Sequence, residues 1–171
     1  MYVTCNLGDA MAGLSAFRKG EPGYERLKRS FIHPEAQVAL SRVLTERFRV
    51  SAMIDLSDGL ASDLGHICEE SGCGASVNEQ ALPLSQEFRD LMERECDDPA
   101  GFAIPAGEDY GLLFTSPDHE LFTVREVLGR PISRIGTITG DVGVMVRVRP
   151  DGAAEPISLK GYEHFKRKVT K

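Results

Sequence analysis

A chain of 171 residues, 42% hydrophobic and 27% charged, has the length and composition of one folded domain with a proper core and is too short for two ordinary ones. Its formal net charge of −6 argues against general nucleic-acid binding, which needs basic surface to neutralise phosphates. No apolar run is long enough to span a bilayer and no N-terminal signal pattern is read, and Cys5, Cys68, Cys73 and Cys96 form no Cys-x-x-Cys, so the expectation is a cytoplasmic protein with reduced thiols.

Met1 to Thr4 reads as the end of a strand. Small residues from Ala10 to Phe17 then form a helix, with Asp9 as its N-cap and Gly20 as its stop. A short helix falls within Glu21 to Ser30, and Ile32-His33-Pro34 breaks it. Ala36, Leu40, Val43, Leu44 and Phe48 recur at the helical period, which predicts an amphipathic helix from Glu35 to about Arg47.

The stretch from Ala52 to Leu64 is the most informative. Ala52-Met53-Ile54 is strand-like, Asp55, Ser57, Asp58 and Gly59 make a turn, and Leu60, Leu64, Ile67 and Cys68 mark one face of a helix that stops at Gly72. Two carboxylates and a hydroxyl therefore lie where a helix begins and its N–H groups lack partners. Such a turn can hold a hard cation through its carboxylates and an anion through its N–H groups, as a metal–phosphate complex requires. The competing reading is helix capping by Ser57 or Asp58, with Asp55 a solvated strand end.

Beyond it, Gly74 to Asn78 predicts a strand and Leu82-Pro83-Leu84 a connector. Ser85 caps a helix to about Glu95, with Phe88, Leu91 and Met92 inward. Cys96 to Pro105 is loop or a brief helical turn, and Leu112 to Thr115 a strand. Asp118 opens a helix with Leu121, Phe122, Val124 and Val127 or Leu128 inward, closed by Gly129-Arg130-Pro131. Ile132–Thr139 and Val142–Val148 read as strands joined by a Gly140-Asp141 hairpin turn, and a basic tail of Lys166, Arg167, Lys168 and Lys171 ends the chain. Helices and strands are interspersed without strict alternation, so the fold class is α+β, a mixed β-sheet covered by helices.

His66, Cys68 and Cys73 lie close in sequence, but their spacing is that of no structural zinc site, and Cys68 falls on the apolar helix face. No Gly-x-x-x-x-Gly-Lys-Ser/Thr occurs, and the Asp55–Gly59 turn lacks the closing glutamate of an EF-hand.

Four blocks in order carry a resemblance. They are Tyr2-Val3-Thr4-x-x-Leu7-Gly8-Asp9-Ala10 with Ala12-Gly13-Leu14, Ile54-Asp55-Leu56-Ser57-Asp58-Gly59-Leu60 with Asp63-Leu64-Gly65-His66-Ile67, Gly107-Glu108-Asp109-Tyr110, and Gly161-Tyr162-Glu163-His164-Phe165. Together they resemble the C-terminal half of the thiamine-monophosphate kinase family, in the superfamily of aminoimidazole ribonucleotide synthetase and selenophosphate synthetase. The resemblance implies an aminoimidazole ribonucleotide synthetase C-terminal-domain-like fold over residues 1–171, an N-terminal ATP-binding domain absent from this chain, and a homodimeric full-length enzyme. It implies transfer of the ATP γ-phosphate to thiamine monophosphate with magnesium, giving thiamine diphosphate. Residue by residue, Asp55 and Asp58 match magnesium ligands, Ser57 an ATP contact, and Glu108 and Tyr162 substrate contacts; no residue is assigned as a catalytic nucleophile, acid or base. As a fragment the chain is expected to be inactive.

The residue types suit that chemistry. Phosphoryl transfer needs charge neutralisation and in-line positioning more than a nucleophilic side chain. Magnesium takes one or two carboxylates and completes its shell with phosphate oxygens and water. A tyrosine ring offers a π face to a cationic heterocycle.

Some positions depart from the family pattern. Cys5 stands for a usual glycine, Ala106 for the first glycine of Gly-Gly-Glu-Asp, Gly111 for an acidic residue and Glu163 for aspartate. Two alternatives stay open, another ATP-dependent synthetase of the superfamily and a stand-alone non-catalytic ligand-binding module.

Overall fold

Sixteen helices and strands, irregularly interspersed, make up a computed structural model that describes residues 1–122 and 124–158, the side chains of His119 and Phe122 excepted. In chain order they are β1 (Tyr2–Val3), α1 (Asp9–Lys19), α2 (Glu25–Ile32), α3 (Val38–Arg47), β2 (Ala52–Asp55), α4 (Leu60–Ser71), β3 (Gly74–Asn78) and α5 (Gln86–Glu95). There follow α6 (Pro99–Ala103), β4 (Leu112–Thr115), β5 (Glu126–Val127), β6 (Arg130–Pro131), β7 (Ser133–Arg134), β8 (Gly136–Thr139), β9 (Met145–Val148) and β10 (Ala154–Pro156). The Gly161–Phe165 block, Tyr162 and the basic tail lie outside the described residues.

The expected α+β class holds, with two four-stranded sheets in place of one. The first, in the order β2-β4-β1-β7, is antiparallel throughout. The second, β10-β9-β3-β8, is mixed: β3 runs parallel to β9 and antiparallel to β8.

The first sheet is buried on both faces, and the two-residue period of its strands sorts side chains between two cores. Tyr2 and Phe114, opposite each other across β1 and β4, stack at 5.2 Å beside Leu40, Leu44 and Phe48 of the α3 region. Their neighbours Val3 and Leu113 face the other way, toward Leu60, Leu64, Ile67, Phe88 and Leu91 of α4 and α5. Full burial of each of these leucines contributes about 1.5–3 kcal/mol. The helical faces expected for α3, α4 and α5 are the buried ones, and Ser85 caps α5 by accepting from Phe88 N–H at 3.2 Å.

Three local expectations are corrected. Gly8, at φ 80°, holds the cap position of α1, so Asp9 lies inside the first turn and is itself buried. The helix expected from Asp118 is a 3-10 turn over His119–Phe122, followed by the β5–β6 hairpin. Leu128 and Gly129 both take positive φ, 51° and 71°, the backbone of a two-residue primed turn rather than a helix end. Leu121 and Val127 are nevertheless buried. The expected Gly140-Asp141 hairpin does not form either, because β3 lies between β8 and β9. The connection instead wraps the start of β3: Gly143 N–H donates to Cys73 and Ala75 N–H to the Val144 carbonyl. Gly74 leaves no room for a side chain there.

Candidate active site

Strand β2 ends at Asp55, the last residue in register with β4, where it pairs with Leu112. The chain then turns through Leu56, Ser57 and Asp58 into α4. Three backbone hydrogen bonds tie this turn to the loop before β4: Leu56 N–H to Gly111 at 2.8 Å, Tyr110 N–H to Leu56 at 2.8 Å, and Glu108 N–H to Ser57 at 2.9 Å. Gly107 makes the approach possible, since a Cβ there would lie 2.6 Å from the Ser57 carbonyl oxygen. Two blocks some fifty residues apart in sequence are thereby one surface, and Asp55, Ser57, Asp58 and Glu108 share it.

The capping alternative is not what the turn does. Gly59, at φ 99°, occupies the cap position of α4, and no side chain hydrogen-bonds from it. A Cβ on Gly59 would meet the Pro105 carbonyl oxygen at 2.6 Å. The carboxylates of Asp55 and Asp58 and the hydroxyl of Ser57 have no hydrogen-bond or ion-pair partner among the described residues, and Asp55 is exposed. Unused hard oxygens at the mouth of a helix are what a divalent cation carrying phosphate needs. Among the described residues no three acidic, histidine or cysteine side chains form a metal cage. Magnesium fits nonetheless, since two carboxylates with phosphate oxygens and water fill its shell.

Asp63 shapes the turn from below. It is 1% exposed, and its Oδ2 accepts the Asp58 N–H at 3.2 Å. Burial pushes its carboxyl up to about 6, opposed by that hydrogen bond and reinforced by the charges of Asp58 and Asp55. On the other loop, Glu108 is exposed and accepts from the Tyr110 hydroxyl at 3.1 Å. The Glu108 carboxylate holds the phenol pKa of Tyr110 above its ordinary value, with smaller contributions from Asp55 and Asp58. Glu108 and Tyr110 have left-handed backbones, φ 70° and 49°, a strained state for side-chain-bearing residues that clusters at functional sites.

Between them, Asp109 points inward. Its two oxygens accept Gly8 N–H at 2.7 Å and Ala10 N–H at 3.1 Å, so a residue far along the chain caps α1. Burial raises its carboxyl to about 7 against those two hydrogen bonds. The buried Asp9 carboxylate accepts from Ser85 Oγ at 2.7 Å and Asn6 Nδ2 at 3.3 Å. Asp63, Asp109 and Tyr110 sit inside blocks legible in the sequence, but their roles had no local signal. The family departure at Ala106 is accommodated, since that residue is buried without a positive φ.

Sheet order, the acidic turn without side-chain partners and its docking to the Glu108–Tyr110 loop define an α+β domain with one polar surface built from two distant loops. The chain matches the family described as AIR synthase related protein, C-terminal domain, over residues 1–149, and belongs to that family. Among curated relatives it is 38% identical to the thiamine-monophosphate kinase of Salmonella typhimurium over 175 residues, covering 96% of this chain and 52% of the relative. The thiamine-monophosphate kinase of Escherichia coli strain K12 is 34% identical, covering 96% and 52%.

A crystal structure of thiamine-monophosphate kinase from Stenotrophomonas maltophilia K279a superposes with a TM-score of 0.76 at 34% identity, over 90% of this chain and 50% of that one. AaThiL complexed with AMPPCP and TMP superposes with a TM-score of 0.78 at 29% identity, over 96% and 50%. Hydrogenase maturation protein HypE, 18% identical with a TM-score of 0.69, shares the fold. The chain spans about half the length of the curated relatives it matches. Among the described residues no helix is long and apolar enough to cross a membrane.

Proposed function

We propose that this chain is the C-terminal domain of a thiamine-monophosphate kinase, which transfers the γ-phosphate of ATP to thiamine monophosphate to give thiamine diphosphate. The supporting observation is the pairing of the acidic turn with the Glu108–Tyr110 loop, which puts unpartnered Asp55 and Asp58 beside an exposed glutamate. Asp55 and Asp58 would hold magnesium, Ser57 would contact ATP, and Glu108 would accept from the substrate. Magnesium bound there would offset charge on the transferred phosphoryl group and its leaving group. The residues of this chain bind and orient; none is a covalent nucleophile. Tyr162, outside the described residues, is proposed as a stacking contact for the substrate ring.

The relatives' lengths leave room for a second, N-terminal domain carrying the rest of the nucleotide site, with homodimerisation and a cytoplasmic location in the complete enzyme. By itself the chain is proposed to be inactive, because two carboxylates would hold only part of the magnesium needed to offset a triphosphate's charge. Calorimetric titration with thiamine monophosphate, with and without magnesium, tests the reading. Binding weakened in Tyr162→Ala, with magnesium dependence lost in Asp55→Ala, supports it. ATP-dependent formation of thiamine diphosphate by these 171 residues alone would refute the inactive half-enzyme.

A further inference from the structure

At the end of α4 opposite the acidic turn, the chain leaves the helix through Gly72, whose backbone is left-handed at φ 59°. Gly72 N–H donates to the Glu69 carbonyl at 3.3 Å and Cys73 N–H to the Cys68 carbonyl at 3.0 Å. These two bonds make a Schellman closure, in which the residues at the ends of the longer bond face each other and commonly pack side chain to side chain. Here both are cysteines. The Cys68 thiol is close enough to that of Cys73 for the two to interact electrostatically, and both residues adjoin the same apolar cluster. Cys68 is 3% exposed, whereas Cys73 is half-buried and lines an open cavity with Ile67, Ser71 and Thr137. Cys5 and Cys96 have no cysteine partner: Cys5 lies against Gly111, and the Cys96 thiol contacts the Met92 sulfur at 3.7 Å.

We propose that Cys68 and Cys73 are a peroxide-sensitive thiol pair that closes reversibly to a disulfide across the end of α4. Cys73, the accessible member, attacks first. Its thiolate sulfur bonds to one peroxide oxygen, the O–O bond breaks, and the departing hydroxide takes up the thiol's proton as water, leaving a sulfenic acid. The Cys68 sulfur then attacks the Cys73 sulfur. The S–S bond forms, the S–O bond breaks, and the hydroxyl leaves with the Cys68 proton as a second water. Two thiols are oxidised by two electrons and one peroxide is reduced to two waters. Burial, reinforced by Cys73, holds the Cys68 thiol up to about 11, which suits it to the second step rather than the first.

The stretch Val50–Arg89 contains both cysteines and no internal lysine or arginine, so trypsin releases the pair in one peptide. The folded chain is treated with hydrogen peroxide, freed of it, unfolded, alkylated with iodoacetamide, digested and weighed. The expected result is loss of both alkylations and of two hydrogens from that peptide, reversed by dithiothreitol, with Cys5 and Cys96 still alkylated. Cys73→Ser should leave Cys68 alkylated, and Cys68→Ala should leave a Cys73 sulfenic acid that dimedone labels. The proposal is overturned if both cysteines stay alkylated after peroxide. It is equally overturned if the link forms only in urea, or if Cys68 oxidises as readily in Cys73→Ser.

Discussion

Cys5 fills the space that a side chain on Gly111 would need, because a Cβ built at position 111 would overlap the Cys5 sulfur. Burial, reinforced by the charges of Asp109 and Asp9, raises the pKa of that thiol well above its ordinary value. Cys5 and Gly111 are two of the positions at which the chain departs from the family pattern, glycine there becoming cysteine and an acidic residue becoming glycine. In space the two positions touch, so each limits the side chain the other can carry. Gly111→Asp alone should destabilise the fold by ~1–3 kcal/mol through overpacking. Cys5→Gly with Gly111→Asp should recover much of that loss, with a coupling energy of ~0.5–3 kcal/mol in urea denaturation of the four variants. Strictly additive losses would mean the two sites are independent.

Asp109 makes the stability of the chain depend on pH in an unusual direction. Its carboxyl moves from 3.8 to about 7 on folding, so the folded state binds the proton more tightly than the unfolded state. Stability from this group is therefore greatest near and below pH 4 and is lost as pH rises toward about 7. Asp109→Asn should flatten that fall in a series of urea midpoints between pH 4 and pH 7. A variant with the slope of the parent chain would show that Asp109 is not its source.

Asp63 positions Asp58 through the backbone and reaches no ligand directly. Asp63→Ala should cost ~1–3 kcal/mol, because the half-buried Asp58 N–H loses its acceptor. In the proposed two-domain kinase it should also weaken apparent magnesium affinity by roughly 10–100-fold, the usual cost of losing a supporting contact. Asp63→Asn, which keeps an acceptor oxygen, should recover most of both losses. If Asp63→Ala left the magnesium dependence unchanged, Asp63 would be structural only.

Arg147 of β9 is 6% exposed and gathers three carboxylates: Asp98 at 2.8 Å, Glu155 at 2.7 Å and Glu79 at 3.4 Å. It joins the start of α6 to the β9–β10 edge. Arg147→Met should destabilise by about 3 kcal/mol, near the lower end for breaking a buried ion pair, because Asp98 and Glu155 can regain water. Thermal denaturation measures it, and a loss below about 1 kcal/mol, the level of an exposed pair, would show that the cluster contributes little.

Much of the local structure was legible in the sequence because its causes are local. The apolar period set the buried faces of α3, α4 and α5, Ser85 announced the α5 cap, and Gly72 the α4 stop. The acidic turn after β2 could be placed from the strand-to-helix switch alone, with Asp55, Ser57 and Asp58 on it. Glu108 could be singled out only by resemblance, and where it sits relative to those residues was not readable.

What only the tertiary structure decided was which distant groups meet. Tight hydrogen bonding between Leu56–Ser57 and Glu108–Gly111, absent helix capping by Ser57 or Asp58, and Asp109 held by N–H groups 101 and 99 residues away all depend on packing. The same is true of β3, which takes the place between β8 and β9 that a hairpin pattern would close. Propensity, period and capping act within a turn or two of helix or strand. Strand partners and inward carboxylates are chosen by the burial and hydrogen bonding of the whole fold, which leave no mark on the few residues beside them.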